Sequence, residues 1–196
     1  MISKQFSQTI VELKTRAQSK PGLCGLAVVR SVLASQFKIY ETEKSLMKLF
    51  KDFYKGKYAK NVNYNDLLSK YGVTPYFIAY CFRKKLGNNI KILCSRNGDA
   101  HKLNYLFNGI GIVPIIHQEI SYPEFGDFKL DGHYMVYAGI DKNIVRIFDP
   151  SRYGGLKYLT VDKFHNKWQS DDERWFLVVL PKWLGLDKDY FSGKYI

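Results

Sequence analysis

The apolar positions divide the chain into a helical first half and a second half rich in strands. In the first half they recur every three or four residues, which is the spacing of a helix with one buried face. This pattern predicts helices over Ser3 to Ala17, Cys24 to Phe37, Ser45 to Tyr54, Asn61 to Tyr71 and Tyr76 to Leu86. The last follows Thr74-Pro75, and proline suits a first helical turn. The segment from Cys24 to Phe37 is almost continuously apolar, so it is predicted to be a buried helix.

Short apolar runs separated by turn residues dominate the second half. They predict strands over Ile90 to Cys94, Ile110 to Gln118, Tyr134 to Ile140, Ile144 to Phe148 and Trp175 to Leu180, and helices over Asp99 to Phe107 and Val161 to Trp168. A turn at Asp141-Lys142-Asn143 joins two of the strands into a hairpin. Helices followed by antiparallel strands predict an α+β fold, and the length suits a single domain over residues 1–196.

The composition is that of a globular domain, with 46% hydrophobic and 24% charged residues. No apolar run is long enough to span a membrane and the N-terminus carries no secretory signal, so we expect a cytoplasmic protein. The net charge of +12 makes nucleic acid a possible partner. The lysines are dispersed and form no nucleic-acid-binding motif, so this partner is not favoured.

The three cysteines, Cys24, Cys81 and Cys94, do not form a disulfide framework because their number is odd and they lie far apart. No Cys-x-x-Cys pair or close Cys/His cluster is present, which argues against a structural zinc site. A free thiol can be a packing residue or a nucleophile. Cys81 and Cys94 lie within apolar segments and are interpreted as packing residues.

Cys24 is the candidate nucleophile. It follows the break at Pro21-Gly22 and begins the apolar helix, where the helix N-terminus stabilises a thiolate. Gly25 leaves room for a substrate carbonyl, and Gln18 could donate a hydrogen bond to an oxyanion together with the Cys24 N–H. Read singly, Cys24 would more often be a buried core residue and Gln18 a solvated surface residue.

His133 and Asp149 are the candidate partners of this thiol. His133 directly precedes one strand of the hairpin and Asp149 ends the other, so both should lie at the open end of the hairpin. The carboxylate could then orient the imidazole while the other ring nitrogen faces the thiol. The alternatives are a surface histidine and a turn-forming Asp-Pro pair.

Further residues with reactive or aromatic side chains are interpreted as structural. His117 is predicted to be a core or cleft-edge residue, and His101 and His165 to be surface residues. Trp168, Trp175 and Trp183 are predicted to be core or edge aromatics. The segment Ser151 to Gly155 reads as a surface turn that could also shape substrate access.

Three motifs together resemble a known family. Gln18, followed after four residues by Leu23-Cys24-Gly25-Leu26-Ala27, resembles the nucleophile motif of the bacteriocin-processing (double-glycine) peptidases, which are papain-like cysteine peptidases. Gly132 to Val136 and Phe148-Asp149-Pro150 resemble the histidine–aspartate hairpin of that family. The resemblance extends from about Gln18 to Pro181, although Leu23 stands where the family often has an acidic residue.

The resemblance implies a papain-like α+β fold and the chemistry of a cysteine peptidase. Cys24 would be the nucleophile, His133 its base, Asp149 the group that orients the histidine, and Gln18 an oxyanion donor. The substrate would be a peptide or protein, and no metal or organic cofactor would be needed. An acyltransferase or deamidase using the same site, a non-catalytic peptide-binding module and a nucleic-acid-binding protein remain alternatives, and the oligomeric state is open.

Overall fold

The computed structural model of the protein describes residues 12–20, 22–55, 63–64, 68, 72–121, 130–151, 154–168, 174–186 and 193–195. Within these ranges the helices are α1 (Cys24–Phe37), α2 (Glu43–Tyr54), α3 (Pro75–Leu86), α4 (Ala100–Asn104) and α5 (Val161–Trp168), and a π-helical turn (Tyr105–Gly109) continues α4. The strands are β1 (Ile90–Ser95), β2 (Ile115–Ser121), β3 (Leu130–Asp141), β4 (Ile144–Asp149), β5 (Gly155–Thr160), β6 (Phe176–Pro181) and β7 (Gly193–Tyr195).

The strands form one sheet in the order β5-β4-β3-β2-β6-β1-β7, and every neighbouring pair is antiparallel. Helix α1 packs against β3 near the middle of this sheet, and α2 and α3 pack against α1. The predicted α+β arrangement is therefore confirmed. None of the helices in these ranges is both long and apolar enough to cross a membrane.

Helix α1 has the bounds predicted from its apolar run, because nearly every side chain on it is buried. Two of the buried residues are serines, and both hydroxyls are satisfied within the helix. Ser31 donates to the carbonyl of Ala27 at 2.9 Å and Ser35 to that of Ser31 at 2.6 Å. Each hydroxyl oxygen keeps an acceptor site for a further partner.

Local capping explains the starts of α2 and α3. The Thr74 hydroxyl accepts from the N–H of Phe77 at 3.2 Å, which confirms the predicted Thr74-Pro75 start of α3. The Thr42 hydroxyl accepts from the N–H of Ser45 at 3.1 Å, so α2 begins two residues before the predicted Ser45. The predicted helix Asn61 to Tyr71 falls largely outside the described residues.

The predicted N-terminal helix is wrong where it can be compared. Residues 3–11 lie outside the described ranges, and residues 12–17 are not helical. The N–H of Lys14 donates to the Ser35 hydroxyl at 2.7 Å, and the N–H of Arg16 donates to the Ser31 hydroxyl at 3.0 Å. While these N–H groups donate to α1, they cannot form the main-chain hydrogen bonds of a local helix. Tertiary hydrogen bonds therefore outweigh the helical preference that the apolar spacing indicates. We call residues 12–20 the N-terminal strap.

The remaining differences concern the strands. Strand β2 begins at Ile115 rather than Ile110, because the π-helical turn extends the preceding helix and Ile112 donates back to Leu106 at 2.8 Å. Strands β5 and β7 were not predicted. Strand β5 lies at a sheet edge and none of its six residues is buried, so its sequence lacks the alternating burial that marks a half-buried strand.

Candidate active site

The β3–β4 hairpin brings His133 and Asp149 into contact. Its register pairs Val136 with Phe148 and Tyr137 with Ile147, which places both residues at the same end of the hairpin. His133 Nε2 and Asp149 Oδ1 are 2.7 Å apart, and the two side chains are only 13% and 7% exposed. The contact is therefore a short hydrogen bond that is largely shielded from water.

The carboxylate of Asp149 has further partners. The main-chain N–H of Ser151 donates to Oδ1 at 2.9 Å, and the ammonium of Lys157 pairs with Oδ2. Burial by itself would raise the pKa of Asp149, but the hydrogen bonds from His133, Lys157 and Ser151 outweigh burial and hold the pKa well below its usual range. Asp149 is therefore a fixed negative charge beside the imidazole.

His133 is held between this carboxylate and the thiol of Cys24. Burial lowers the pKa of His133, but hydrogen bonds with Asp149 and with Cys24 outweigh it and raise the pKa to about 9. Since Nε2 binds Asp149, Nδ1 is the ring nitrogen left for the thiol. At neutral pH the ring is therefore an imidazolium, and a positive charge beside a thiol favours its thiolate form.

Cys24 is the first residue of α1 and is 6% exposed. It follows a turn in which Gly22 has a φ of 80°, a conformation that favours glycine. The first N–H groups of a helix have no intrahelical partner, so the N–H of Cys24 points out of the helix end. The helix dipole adds a second stabilising influence on a thiolate at this position.

Gly25 allows the first turn of α1 to pack closely against its neighbours. A Cβ at this position would overlap Val73 Cγ2 and would lie 3.4 Å from the ring of Tyr134. The hydroxyl of Tyr134 donates to the carbonyl of Val73 at 3.1 Å, which fixes the two residues that contact Gly25. Close packing, rather than a special backbone angle, is therefore the local reason for glycine after Cys24.

Gln18 lies on the N-terminal strap. Its main-chain N–H donates to the carbonyl of Pro150 at 2.8 Å, and the next residue, Ser19, binds the carboxylate of Glu43 through both its N–H and its hydroxyl. Gln18 Oε1 is buried and has no hydrogen-bond partner among the described residues. A buried polar atom without a partner is unusual in folded proteins and occurs often where a ligand binds.

The other two cysteines are poor nucleophiles in this structure. Cys81 is fully buried in α3, and burial raises the pKa of its thiol. Burial also raises the pKa of Cys94 to about 11, although a hydrogen bond with Trp175 acts in the opposite direction. Both thiols stay protonated at neutral pH, in agreement with the predicted packing role.

Among the remaining histidines and tryptophans, only His165 lies in an environment that differs from the predicted one. His117 is half-buried on β2, with its ring centroid 4.7 Å from that of Tyr134, and His101 is exposed. His165 is not a surface residue, because its Nε2 accepts from the N–H of Ala100 at 3.1 Å and caps α4. Trp168 is buried, Trp175 is half-buried and Trp183 is exposed.

Sequence reasoning missed the residues that contact Asp149. They lie on β5 and in the turn that precedes β5. A Cβ on Gly154 would collide with the main-chain oxygen of Asp149 and lie 2.8 Å from its carboxyl carbon. The glycine pair 154–155 is visible in the sequence, but nothing local predicts that Lys157 reaches the carboxylate. Within the described ranges, no three His, Cys, Asp or Glu side chains are grouped so that they could hold a metal ion.

Several solved structures are similar to this chain, although no protein-family model and no curated protein matches it. The peptidase domain of Streptococcus ComA, a bi-functional ABC transporter involved in a quorum sensing pathway, is 21% identical with a TM-score of 0.59 over 87% of this chain and 99% of that chain. A double glycine motif protease from an AMS/PCAT transporter, in complex with the leader peptide, is 16% identical with a TM-score of 0.57 over 87% and 93%. A C39-like peptidase from Bacillus anthracis is 16% identical with a TM-score of 0.60 over 88% and 96%.

These similarities span most of the chain at low sequence identity, so they describe its fold. The chain therefore has the fold of the C39 double-glycine peptidase domains, which confirms the resemblance and the fold class predicted from its sequence.

Proposed function

We propose that the protein is a cysteine peptidase in which Cys24, His133 and Asp149 act together. The observation that carries the proposal is the position of His133, which is hydrogen-bonded to a buried carboxylate on one side and interacts on the other with the Cys24 thiol, which helps to raise its pKa. This is the arrangement that converts a thiol into a nucleophile at neutral pH. The peptidase fold of the similar structures supports the same reaction class.

The reaction begins with the thiolate of Cys24 and the imidazolium of His133. The sulfur attacks the carbonyl carbon of an amide, and the carbonyl oxygen becomes an oxyanion. The N–H of Cys24 at the helix end and the side-chain amide of Gln18 are the donors that we assign to this oxyanion. The strap hydrogen bonds that anchor Gln18 keep such a donor in place before the substrate binds.

His133 then gives its proton to the nitrogen of the leaving amine, the C–N bond breaks, and a thioester forms on Cys24. A water molecule, deprotonated by the now neutral His133, attacks the thioester and releases the carboxylic acid and the thiolate. Asp149 stays ionised throughout, holds the imidazole by its Nε2 and stabilises the imidazolium. No step requires a metal or an organic cofactor.

The substrate class that we propose is a peptide or a protein. One of the similar structures is a complex with a leader peptide, which supports peptide binding at this fold. We place the reaction in the cytoplasm, where reducing conditions keep the three thiols free.

The first test is alkylation of the native protein by iodoacetamide across pH 5 to 9, with each modified cysteine identified by mass spectrometry. We expect Cys24 to react selectively at acidic and neutral pH, and the His133→Ala variant to lose this selectivity. Cys81 and Cys94 are internal references, because burial holds both thiols in the protonated form. A Cys24 that reacts no faster than Cys94 would contradict an activated nucleophile.

The second test is incubation with a synthetic peptide library, including peptides with and without paired glycines, followed by mass spectrometry of the products. Hydrolysis produces two peptides with a new carboxylate and a new amine, and the Cys24→Ala variant should produce neither. An adduct with an added amine would identify an acyltransferase, and conversion of a side-chain amide to an acid would identify a deamidase. Binding of peptides without any product would contradict the peptidase proposal in favour of a peptide-binding module.

A further inference from the structure

Lys157 is placed beside Asp149 by the pairing of β4 with β5. The register sets Asp149 opposite Gly155 and Ile147 opposite Lys157. Lys157 is therefore the diagonal neighbour of Asp149 on the same face of the sheet. The residue directly opposite Asp149 is a glycine, so no side chain stands there and the long lysine side chain can lean across to the carboxylate.

The two oxygens of the Asp149 carboxylate bind two different cations. His133 binds Oδ1, which also accepts from the N–H of Ser151, and the ammonium of Lys157 pairs with Oδ2. The side chain of Asp149 is 7% exposed and that of Lys157 is 49% exposed. A lysine at the sheet edge thus reaches inward to a carboxylate that is mostly shielded from water.

We infer that Lys157 is a positioning residue that acts on His133 through Asp149, and this inference rests on the proposed peptidase function. Lys157 offsets part of the negative charge that the imidazole would otherwise experience. It thereby limits how firmly His133 holds its proton, which the reaction requires His133 to give to the leaving amine. A general acid is most effective when its pKa lies near the working pH.

The charged and titratable groups around this pair determine the sign of the effect. His133 on β3 is faced by Cys24 from α1 and by Asp149 from β4, and Asp149 is faced by His133 and by Lys157 from β5. Replacing Lys157 by an uncharged residue removes the positive charge that pairs with Oδ2 of Asp149, the carboxylate whose other oxygen binds His133. The pKa of the imidazole must then rise.

An ordinary exposed ion pair is the competing explanation. Such pairs contribute little to stability. A positioning role can be told from a structural role by measurement. Replacing a positioning residue shifts the pKa of His133 even when the fold and its stability are preserved.

The test compares the native chain with the variants Lys157→Met, Lys157→Arg and Lys163→Met. Methionine keeps the length and apolar stem of lysine, arginine keeps the charge, and Lys163 is an exposed lysine on α5 that serves as the matched control. The pKa of His133 is followed by NMR of its ring C–H groups, and iodoacetamide alkylation of Cys24 is measured over the same pH range. Circular dichroism confirms that each variant is folded.

We expect Lys157→Met to raise the pKa of His133 by about 0.5 unit, the size of a unit charge acting over a few ångströms in a water-like dielectric. The arginine variant and the Lys163 variant should both retain the native values. A pKa of His133 that is unchanged or lowered in Lys157→Met, or an arginine variant that behaves like methionine, would overturn the inference.

The same measurements separate this inference from the proposed function. If Cys24 of the native chain is alkylated like an ordinary thiol, the proposed peptidase chemistry fails irrespective of Lys157. If Cys24 of the native chain is activated and the pKa of His133 in Lys157→Met equals the native value, only the role of Lys157 fails.

Discussion

The main-chain N–H of Gln18 donates a 2.8 Å hydrogen bond to the carbonyl of Pro150. Pro150 directly follows Asp149, so this bond ties the N-terminal strap to the turn that carries the carboxylate. The same strap is bound to α1 through the hydroxyls of Ser31 and Ser35. One short segment therefore connects the helix that bears Cys24 with the hairpin that bears Asp149.

Replacing Gln18 by alanine should lower kcat by about 100- to 1000-fold, the usual cost of losing an oxyanion donor. The fold should survive, because the strap is anchored by main-chain groups that alanine retains. Steady-state kinetics on a cleaved library peptide would measure the effect. The matched control is Gln36→Ala, which removes an amide that binds the main chain of Val113 and Val179 rather than the strap. A Gln18→Ala enzyme with native kcat would exclude the oxyanion role.

Replacing Ser31 by alanine should reduce activity through the strap rather than through the reacting groups. The N–H of Arg16, two residues before Gln18, loses its acceptor, and we expect a loss of about 1–3 kcal/mol of stability. The Ser35→Ala variant removes the equivalent bond to Lys14, which is four residues from Gln18. We expect Ser31→Ala to lower kcat more than Ser35→Ala does at similar thermal stability. Equal kcat in the two variants would argue against a positioning role of the strap.

Replacing Gly25 by alanine should destabilise the protein by about 1–3 kcal/mol, since the new Cβ overlaps the side chain of Val73. Urea unfolding of the single variants and of the Gly25→Ala/Val73→Ala double variant would measure the coupling. The glycine substitution should cost less when Val73 is already alanine, because the overlapping methyl group is gone. Gly185→Ala is the control, since a Cβ there meets no atom within 4 Å, and should change stability by less than about 0.5 kcal/mol.

Replacing Asp149 by asparagine should lower the pKa of His133 from about 9, because the hydrogen bond to a charged carboxylate is a principal cause of its elevation. The neutral imidazole then gains population at neutral pH and the thiolate of Cys24 loses its partner. We expect a fall in kcat of about 100-fold, within the range reported for general acid–base groups. NMR titration of the His133 ring gives the pKa directly. A His133 that titrates as in the native chain would contradict the assigned role of Asp149.

The raised pKa of His133 also predicts how stability depends on pH. The folded value of about 9 exceeds the value of 6.5 expected for an unfolded histidine, so the contribution of His133 is complete below pH 6.5 and is lost as the pH rises through 9. Urea unfolding of the native chain and of His133→Gln at pH 6, 7, 8 and 9 would test this. The difference in free energy of unfolding should shrink steadily over that series. A difference that stays constant with pH would refute the assignment.

The local pattern of the chain was enough to predict α1, α3 and α5. Helix α1 follows an unbroken apolar run, and α3 follows the cap at Thr74-Pro75. The contact between His133 and Asp149 could also be predicted, because a hairpin brings together residues that are only 16 positions apart. Periodicity, helix caps and short turns depend on neighbouring residues, so they can be recognised in a single sequence.

Features that depend on partners distant in the chain could not be predicted from the sequence alone. The strap is not helical because its N–H groups bind serines on α1, although its apolar spacing is that of a helix. His165 accepts a hydrogen bond from the N–H of Ala100 in α4, 65 residues before it in the chain, although its local sequence predicts a surface residue. Lys157 reaches Asp149 only because β5 pairs with β4 in one register. In each case a hydrogen bond or an ion pair between separated segments outweighed the local preference, and such partners become visible only when the chain is folded.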